Sequence, residues 1–280
     1  MAVWKSEVAA RELVVAPSVE LGENASMKLT GNTIFITGGG SGIGRGLAVE
    51  FQKLGNQVII AGRRKKALDE TTAANPGMKS VTLDIDNAAG IRAFAAQLTK
   101  DYPALNVLIN NAGIMRVENL AAQQADLADA ESIITTNLLG PIRLTAALLP
   151  HLQKQPHATI MNVSSGLAFV PLHLTATYCA TKAAIHSYTQ SLRYQLKATP
   201  IDVVELIPPY VATDLLNGRN DPRAMALDKF IDEVMAILKS QPDVREICVE
   251  NVKRLRFAAE SGHYDAAFTG LNDSFAADSQ

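Results

Sequence analysis

The sequence predicts an α/β fold in which one parallel sheet is covered by helices on both faces. From residue 32 onward, short runs rich in β-branched and aliphatic residues alternate with longer amphipathic stretches. Near-continuous apolar runs are typical of strands buried on both faces of a parallel sheet. Strict alternation with helices implies right-handed crossovers. We therefore predict a Rossmann-type doubly wound sheet of six or seven strands.

Six strands and five helices are expected in order along the chain. The strands are predicted at residues 32–37, 57–61, 79–84, 106–110, 158–163 and 201–207. The helices are predicted near residues 42–54, 64–74, 87–100, 125–152 and 176–198. Residues 213–262 are more polar and show no strand of comparable quality. We expect substrate-loop helices there, above the carboxyl ends of the strands, where such sheets bind ligands.

Composition limits the class of protein. Hydrophobic residues make up 48% of the chain and charged residues 19%, which is enough apolar material for a large core. The net charge of −2 gives no basic footprint for nucleic acid. No uninterrupted apolar run approaches the ~20 residues of a membrane span. Cys179 and Cys248 lack metal-ligand spacing, which predicts no metal site and suits a reducing cytoplasm.

We predict a single catalytic domain over residues 27–280, preceded by an arm at residues 1–26. No internal repeat, low-complexity segment or Pro/Gly-rich linker interrupts the domain. The arm lacks the basic and apolar regions of a signal peptide. It is expected to be either disordered or docked on a partner subunit.

A glycine-rich loop at residues 37–44, Thr-Gly-Gly-Gly-Ser-Gly-Ile-Gly, directly follows the first predicted strand. Glycines at this junction permit a tight turn and a close approach of the backbone to a pyrophosphate, and the helix N-terminus offers free N–H groups. A loop without a ligand is the alternative, but the position in a βαβ run favours a dinucleotide. The candidate contacts are Gly38, Ser41, Gly42, Ile43 and Gly44.

The end of the second strand indicates which dinucleotide binds. A carboxylate about 20 residues beyond the glycines would hold the ribose hydroxyls of NAD, but Arg63 and Arg64 stand there instead. Guanidinium groups match the oxygens of a 2′-phosphate, so NADP(H) is favoured over NAD(H). Ser41 is a counter-signal, because a basic residue at that position would strengthen the prediction. One of the two arginines is expected only to solvate the next helix.

A tyrosine, a lysine and a serine form the candidate catalytic group. Tyr178 and Lys182 are four residues apart, which places them on one face of a predicted helix. An ammonium ~4 Å from the phenolate is expected to lower the tyrosine pKa by about three units, so that the phenol can exchange a proton near neutral pH. Ser164 and Ser165 close the fifth strand, where a hydroxyl can hydrogen-bond a substrate oxygen.

Together with the Asn-Asn-Ala-Gly run at residues 110–113, these motifs resemble the short-chain dehydrogenase/reductase family, in its single-domain branch. The resemblance covers residues 28 to about 215. It implies that Tyr178 is the acid/base and that Ser165 orients the substrate carbonyl. It also implies that Lys182 binds the nicotinamide ribose and lowers the tyrosine pKa.

The resemblance extends to the surroundings of these residues. It implies that Asn137 holds a water in a proton relay, that Asp84 contacts the adenine and that Thr213 contacts the carboxamide. Asn111 would lie near the adenine-side ribose. The further implied cofactor contacts are Ile85, Ala112, Gly113, Pro208 and Val211.

Ordinary structural roles are the alternative for several of these residues. Asp84 could accept a hydrogen bond at a helix start, and Asn110 and Asn111 could bridge strand backbones. Asn137 could be a polar residue inside a helix that bonds to the main chain. Thr213, with the adjacent aspartate, could cap the next helix.

The chain departs from the family in two places. Pro208-Pro209 stand where Pro-Gly is usual, so the loop beside the nicotinamide is expected to follow a different path. No seventh strand is visible near the C-terminus, which favours a homodimer through the helices at 125–152 and 176–198 over the usual homotetramer. The C-terminal part is similar to a poorly characterised bacterial subgroup linked to teichoic-acid D-alanylation.

The predicted function is that of an NADP(H)-dependent oxidoreductase, a carbonyl reductase or alcohol dehydrogenase acting on a ketone, an aldehyde or a secondary alcohol. The residues expected around a bulky hydrophobic substrate are Ser165, Leu167, Phe169, Leu172, Tyr210, Leu215 and Leu216. His173 is expected at the surface. The alternative is a catalytically silent NADP(H)-sensing binding module. A nucleotide-sugar epimerase is less favoured, because it normally has a longer chain.

Overall fold

The structure, a computed structural model, describes residues 27–122 and 126–276. The predicted arm at residues 1–26 lies outside the described residues, as do residues 123–125 and 277–280.

Seven parallel strands form one sheet in the order β3-β2-β1-β4-β5-β6-β7. They are β1 Thr33–Thr37, β2 Gln57–Gly62, β3 Lys79–Thr82, β4 Leu105–Asn110, β5 Ala158–Val163, β6 Ile201–Ile207 and β7 Glu246–Cys248. The doubly wound sheet is confirmed. The six predicted strands are present, with ends that shift by at most two residues.

The seventh strand corrects the sequence analysis. β7 is parallel to β6, with Glu205 opposite Glu246 and Ile207 opposite Cys248. The expectation that this strand is missing was wrong, because a three-residue strand with one fully buried aliphatic residue, Ile247, carries no periodic signal. The preference for a dimer over a tetramer was based on a missing seventh strand. Because the strand is present, the fold gives no reason for that preference.

Helices connect the strands and cover both faces of the sheet. Within the described residues they are α1 Gly42–Lys53, α2 Lys65–Ala74, α3 Ala88–Asp101, α4 Ala128–Ile134, α5 Gly140–Leu152, α6 Ala176–Leu196, α7 Leu227–Ser240, α8 Glu250–Arg256 and α9 Tyr264–Ser274. The five predicted helices correspond to α1, α2, α3, the continuous run of α4 and α5, and α6.

A hydrophobic core lies on each face of the sheet. α1 and α7 pack together over one face, where Phe51 and Phe230 are fully buried. α3, α5 and α6 contribute to the core on the other face. In β1, Ile34 belongs to the first core and Phe35 to the second. Both faces of each central strand are therefore apolar, which explains the continuous hydrophobic runs in the sequence.

The run from α4 through α5, Ala128–Leu152, is long and apolar enough to cross a membrane by length and composition alone. Polar residues interrupt this run, so it does not show as a continuous apolar stretch in the sequence. The apolar face of this run packs against the sheet, where Leu144, Leu148 and Leu152 are fully buried in the core.

Candidate active site

A cavity of about 980 Å3 opens at the carboxyl ends of the central strands. β1 and β4 are neighbours in the sheet although β2 and β3 lie between them in sequence, so the strand order reverses there. The loops that follow β1, β2, β4, β5 and β6 all contribute to the cavity wall. Open α/β sheets bind their ligands at this position.

Most of the predicted site residues line this cavity. On the cofactor side they are Gly38, Ser41, Gly42, Ile43, Arg63, Arg64, Ile85, Asn111, Ala112, Gly113, Pro208, Val211 and Thr213. The candidate catalytic residues on the wall are Ser165, Tyr178 and Lys182. Gly44, Asp84, Asn137 and Phe169 are not on the wall, and each has a different structural role.

The glycine loop after β1 is shaped by two left-handed residues and by a contact with the end of β4. Gly38 and Gly42 have φ values of 69° and 53°, which other residues rarely adopt. The Thr37 hydroxyl accepts hydrogen bonds from the backbone N–H groups of Asn111 and Ala112, each at 3.0 Å. These bonds fix the loop with its backbone toward the cavity.

Gly44 lies behind this loop. A Cβ atom on Gly44 would be only 2.5 Å from the Gly38 carbonyl oxygen, so the glycine allows α1 to pack against the loop. The Asn111 side chain donates to the Thr37 carbonyl oxygen at 2.9 Å. The predicted direct pyrophosphate contact of Gly44 is therefore replaced by a packing role, and the Asn111 amide anchors the loop.

The two arginines after β2 have different partners. The Arg64 guanidinium donates to the Ser41 hydroxyl at 2.9 Å, so it brings a positive charge to the loop position that lacks a basic residue. Arg63 forms an ion pair with Asp86 at 3.4 Å. The other Asp86 oxygen accepts from the Thr136 hydroxyl at 2.7 Å. Asp86 was not singled out in the sequence, because nothing local indicates that it meets Arg63.

Asp84 lies off the cavity wall, contrary to the predicted adenine contact. Its carboxylate accepts a hydrogen bond from the Asp86 backbone N–H at 3.1 Å and closes a local turn. The alternative role as a helix cap is also wrong, because Asn87 accepts from the Gly90 N–H at the start of α3.

Tyr178, Lys182 and Ser165 meet where the start of α6 lies against the end of β5. All three residues are buried, with no more than 7% of their surface exposed. The Lys182 ammonium donates to the Val163 carbonyl oxygen at 2.8 Å and lies 5.5 Å from the centroid of the Tyr178 ring. The four-residue spacing thus places the phenol and the ammonium on one helix face, as predicted.

The predicted lowering of the tyrosine pKa is wrong for this structure. Burial raises the pKa of Tyr178 above its usual range, and the hydrogen bond with Ser165 opposes this only in part. Burial also lowers the pKa of Lys182 to about 8, although the negative charge of Glu205 acts in the opposite direction. The prediction took account of the attraction between the Lys182 ammonium and the phenolate. It did not take account of the loss of water around the phenol and the ammonium.

Asn137 lies in a π-helical turn, Thr135–Leu139, between α4 and α5. Its amide accepts from the Ile114 N–H and donates to the Ile114 carbonyl oxygen, both at 2.8 Å. The residue is fully buried behind the cavity wall, beside a small void that Lys182 also lines. Such turns are frequent at functional sites. The main-chain bonds agree with the structural alternative, and a relay role stays a prediction.

The loop after β6 joins the glycine loop to the substrate end of the cavity. Pro208 and Pro209 both lie on the wall. The Thr213 hydroxyl accepts from the Leu215 N–H at 3.3 Å, at the start of a short 3-10 helix. Leu216 has a φ of 51°, the one positive value among the non-glycine residues described, so the backbone is strained where it meets the cavity.

The substrate end of the cavity combines apolar side chains with the three arginines Arg116, Arg223 and Arg254. Of the predicted contacts, Leu167, Leu172, Tyr210, Leu215 and Leu216 lie on its wall. The prediction was wrong for Phe169, whose ring packs edge-on against His186 with centroids 4.6 Å apart and contacts the Arg256 guanidinium. The sequence analysis missed several wall residues that come from distant segments: Met115, Arg116, Arg223, Arg254, Leu255, Leu271 and Phe275.

α9 closes the substrate end and is held by side-chain contacts. The Asn272 amide accepts from the His173 backbone N–H at 2.7 Å and donates to the Pro171 carbonyl oxygen at 3.1 Å. The Arg223 guanidinium lies 3.8 Å from the centroid of the Phe275 ring. His173 is exposed, as predicted, and it anchors α9.

Comparison with known proteins identifies the family. Residues 32–224 match the short chain dehydrogenase family. The chain belongs to this family. An uncharacterised oxidoreductase of Bacillus subtilis, DltE, is 39% identical to this short-chain dehydrogenase over 251 residues, which cover 88% of the chain and 98% of that protein. The predicted similarity to a poorly characterised bacterial subgroup is confirmed.

Two solved structures have the same fold as this short-chain dehydrogenase. A protein of Burkholderia cenocepacia, in complex with NADP, has 25% identity and a TM-score of 0.73, covering 88% of this chain and 99% of that one. A 3-ketoacyl-(acyl-carrier-protein) reductase of Brucella melitensis, complexed with NADH, has 27% identity and a TM-score of 0.71, covering 80% of this chain and 100% of that one.

This short-chain dehydrogenase is an oxidoreductase, and its site fits a nicotinamide dinucleotide. The start of α1 and the left-handed glycines present backbone N–H groups of the kind that bind a pyrophosphate. The cavity extends from Arg63 and Arg64 to Lys182, and its volume lies at the upper end of the range for ligand sites.

Proposed function

We propose that this protein is an NADP(H)-dependent carbonyl reductase/alcohol dehydrogenase acting on a ketone, an aldehyde or a secondary alcohol with a hydrophobic body. The observation that carries the proposal is the meeting of Tyr178, Ser165 and Lys182 on one cavity wall that also includes the glycine loop. A bound nicotinamide would supply or accept the hydride, which no side chain can do.

The side chains would control the proton and the orientation of the substrate. In reduction, the Tyr178 phenol donates its proton to the carbonyl oxygen, and the Ser165 hydroxyl donates a hydrogen bond to the same oxygen. The Lys182 ammonium stabilises the phenolate that remains. The phenol is protonated at neutral pH, and because burial raises the pKa of Tyr178, proton donation depends on the stabilisation of the phenolate by Lys182. Asn137 lies behind Lys182, where the space between the side chains is too small for a water molecule, so a proton relay through Asn137 would require this packing to open.

The preference for NADP(H) is supported by the charges at the end of β2. Arg63 and Arg64 both line the cavity. The Arg64 guanidinium donates a hydrogen bond to the Ser41 hydroxyl of the glycine loop. Asp86, the carboxylate next to them, is engaged by Arg63 and Thr136. Two guanidinium groups at this position favour a 2′-phosphate over free ribose hydroxyls.

A cytoplasmic location and a homo-oligomer, dimer or tetramer, belong to the same proposal. Cys179 and Cys248 are both free thiols, which suits a reducing compartment. Ile134 on α4 and Tyr194 on α6 are exposed to 40% and 70%, so the two long helices present apolar surface that a second copy would cover. Light scattering on the purified protein tests the oligomeric state.

The decisive experiment follows NADPH oxidation with a panel of aryl ketones and aldehydes. Tyr178→Phe removes one oxygen atom and should lower kcat by about a thousandfold, while NADPH still binds. Tyr194→Phe removes the same atom from an exposed ring and should match the wild type. Wild-type turnover in Tyr178→Phe would remove the tyrosine from the mechanism. NADPH binding without turnover of any carbonyl would favour the binding-module alternative.

A further inference from the structure

A buried carboxylate outside the predicted site lies directly behind the catalytic wall. Glu205, in the middle of β6, is fully buried. Its carboxylate accepts a hydrogen bond from the Ser164 hydroxyl at 2.5 Å, and one of its oxygens lies 2.9 Å from His186 Nδ1. Burying a charge is unfavourable unless partners compensate it, so a carboxylate kept at this position calls for an explanation.

The histidine partner supplies a hydrogen bond to Glu205. His186 Nε2 lies 3.0 Å from the side-chain nitrogen of Gln190. The Gln190 amide donates to Nε2, so Nδ1 carries a proton that faces Glu205. His186 therefore orients the carboxylate by donating a hydrogen bond to it.

Several charged or titratable groups face this carboxylate from the elements around it. α6 contributes Lys182, His186 and Arg193; β7 contributes Glu246 and Cys248; and α8 contributes Arg256. Glu246 is already paired with the Arg256 guanidinium at 2.7 Å. That ion pair also argues against a metal held by His186, Glu205 and Glu246, because a cation already occupies the last of the three.

The contacts of Glu205 lead to two of the candidate catalytic residues. Ser164 immediately precedes Ser165, and its hydrogen bond to Glu205 fixes the end of β5. Lys182 is one helical turn before His186, and its ammonium is held by the carbonyl oxygen of Val163, next to Ser164.

We propose that Glu205 is a positioning residue of this enzyme: through Ser164 it holds the strand end that presents Ser165, and through His186, one helical turn after Lys182, its carboxylate is held where it acts on the ammonium of that lysine. The inference rests on the proposed function. The pKa of Lys182 supports the inference. Burial lowers this pKa, and the negative charge of Glu205 raises it. Without that charge, the ammonium would be lost at a lower pH.

The charge effect is tested by measuring NADPH affinity from pH 6 to pH 10 through NADPH fluorescence. Affinity should weaken as Lys182 loses its proton, and Lys182→Arg should abolish this dependence, which assigns it. Glu205→Gln keeps an oxygen that can accept from Ser164 but removes the charge, so the weakening should begin about one pH unit lower. Glu205→Asp should restore the wild-type position. Glu260→Gln is the matched control, because it removes a carboxylate with a 58% exposed side chain and should leave the curve unchanged.

The positioning effect is tested separately by Ser164→Ala, which leaves the carboxylate charged. Its binding curve should keep the wild-type pH dependence, while kcat falls about tenfold because Ser165 is less well held. A curve for Glu205→Gln that coincides with the wild type would overturn the charge role, whatever happens to its melting temperature. If Glu205→Gln fails to fold, a displaced curve in Ser164→Ala or an unchanged kcat in that variant would still contradict the proposal.

Failure of the inference can be told apart from failure of the proposed function. A wild-type protein that binds NADPH but reduces no carbonyl would contradict the proposed function, while the pH dependence of binding in Glu205→Gln would still decide the charge role. A wild-type protein that does not bind NADPH would overturn both.

Discussion

The cofactor end of the cavity is formed mostly by loops that directly follow strands, whereas the substrate end combines segments that are far apart in sequence. Most of the cofactor wall comes from the residues after β1, β2 and β4, and the loop after β6 completes it. The substrate wall draws on segments from Met115 to Phe275. A loop that directly follows a strand depends on local conformational rules, which a sequence displays. A wall assembled from distant segments depends on tertiary packing, which a sequence displays only in part.

The largest effect is expected when one carbon atom is added at the cofactor end. In Gly44→Ala, the new Cβ would overlap the Gly38 carbonyl oxygen, so the glycine loop must move. We expect NADPH affinity, measured by fluorescence titration, to fall about a hundredfold. Gly270→Ala in α9 is the control, because its Cβ would meet nothing within 4 Å. It should bind NADPH normally and be more stable by about 0.5 kcal/mol.

A truncation at the substrate end should affect the substrate alone. Phe275→Ala removes an apolar wall residue and should lower kcat/KM for a bulky ketone about thirtyfold, corresponding to about 2 kcal/mol of lost apolar contact. NADPH affinity should not change. Phe268→Ala removes a ring from the same C-terminal segment that is 38% exposed and is not on the cavity wall, and it should behave like the wild type. A matched loss of NADPH affinity in Phe275→Ala would show that the two ends are not separate.

The two ends meet at Lys182, whose burial should have a cost in stability that depends on pH. The pKa of Lys182 is lowered to about 8 in the folded protein, so between pH 8 and the ordinary lysine pKa the unfolded chain binds more protons. The penalty is therefore complete below about pH 8 and disappears as the pH rises further. Lys182→Met removes this penalty of about 3 kcal/mol but also the hydrogen bond to the Val163 carbonyl, which is worth about 1 kcal/mol. The free energy of unfolding at pH 7 should therefore rise by about 2 kcal/mol.

Thermal unfolding at pH 7 and pH 10 checks this sign. The advantage of Lys182→Met over the wild type should shrink as the pH rises. Lys66→Met, at a side chain that is 91% exposed, should show no such trend. An advantage that grows with pH would contradict the assigned pKa direction.

The smallest expected effect sharpens the description of the cofactor end. Arg64→Ala removes the guanidinium bound to Ser41 and should weaken NADPH binding about tenfold while leaving NADH binding unchanged. Arg92→Ala, at an exposed arginine of α3, is the control for loss of positive charge. Equal weakening of both dinucleotides by Arg64→Ala would remove the argument for NADP(H).

The fold and the cofactor end were largely predictable because their signals are local. The buried strands read as continuous apolar runs, and the conformations of Gly38 and Gly42 need glycine itself. Lys182 and Tyr178 were found because a helix repeats every 3.6 residues. The pKa of Tyr178 could not be predicted from the sequence, because it depends on burial, and burial follows from the whole fold.

The parts that were missed have tertiary causes. β7 depends on β6 for its existence, and the ion pair of Arg63 with Asp86 joins two loops. Glu205 lies in an apolar strand, and the sequence gives no reason for a carboxylate at this position. The reason is found only in its contacts with Ser164 and His186. Phe169 was misplaced because closeness in sequence to Ser165 does not fix the side of the sheet that a ring faces.

The anchoring of α9 by Asn272 also has a consequence for synthesis of the protein. Leu271 and Phe275 complete the wall of the cavity, so a nascent chain cannot enclose a substrate until residue 275 has left the ribosome. The loops that face the dinucleotide emerge far earlier. Premature termination within α9 would therefore yield a protein that still takes up its coenzyme and leaves the reacting carbon open to water.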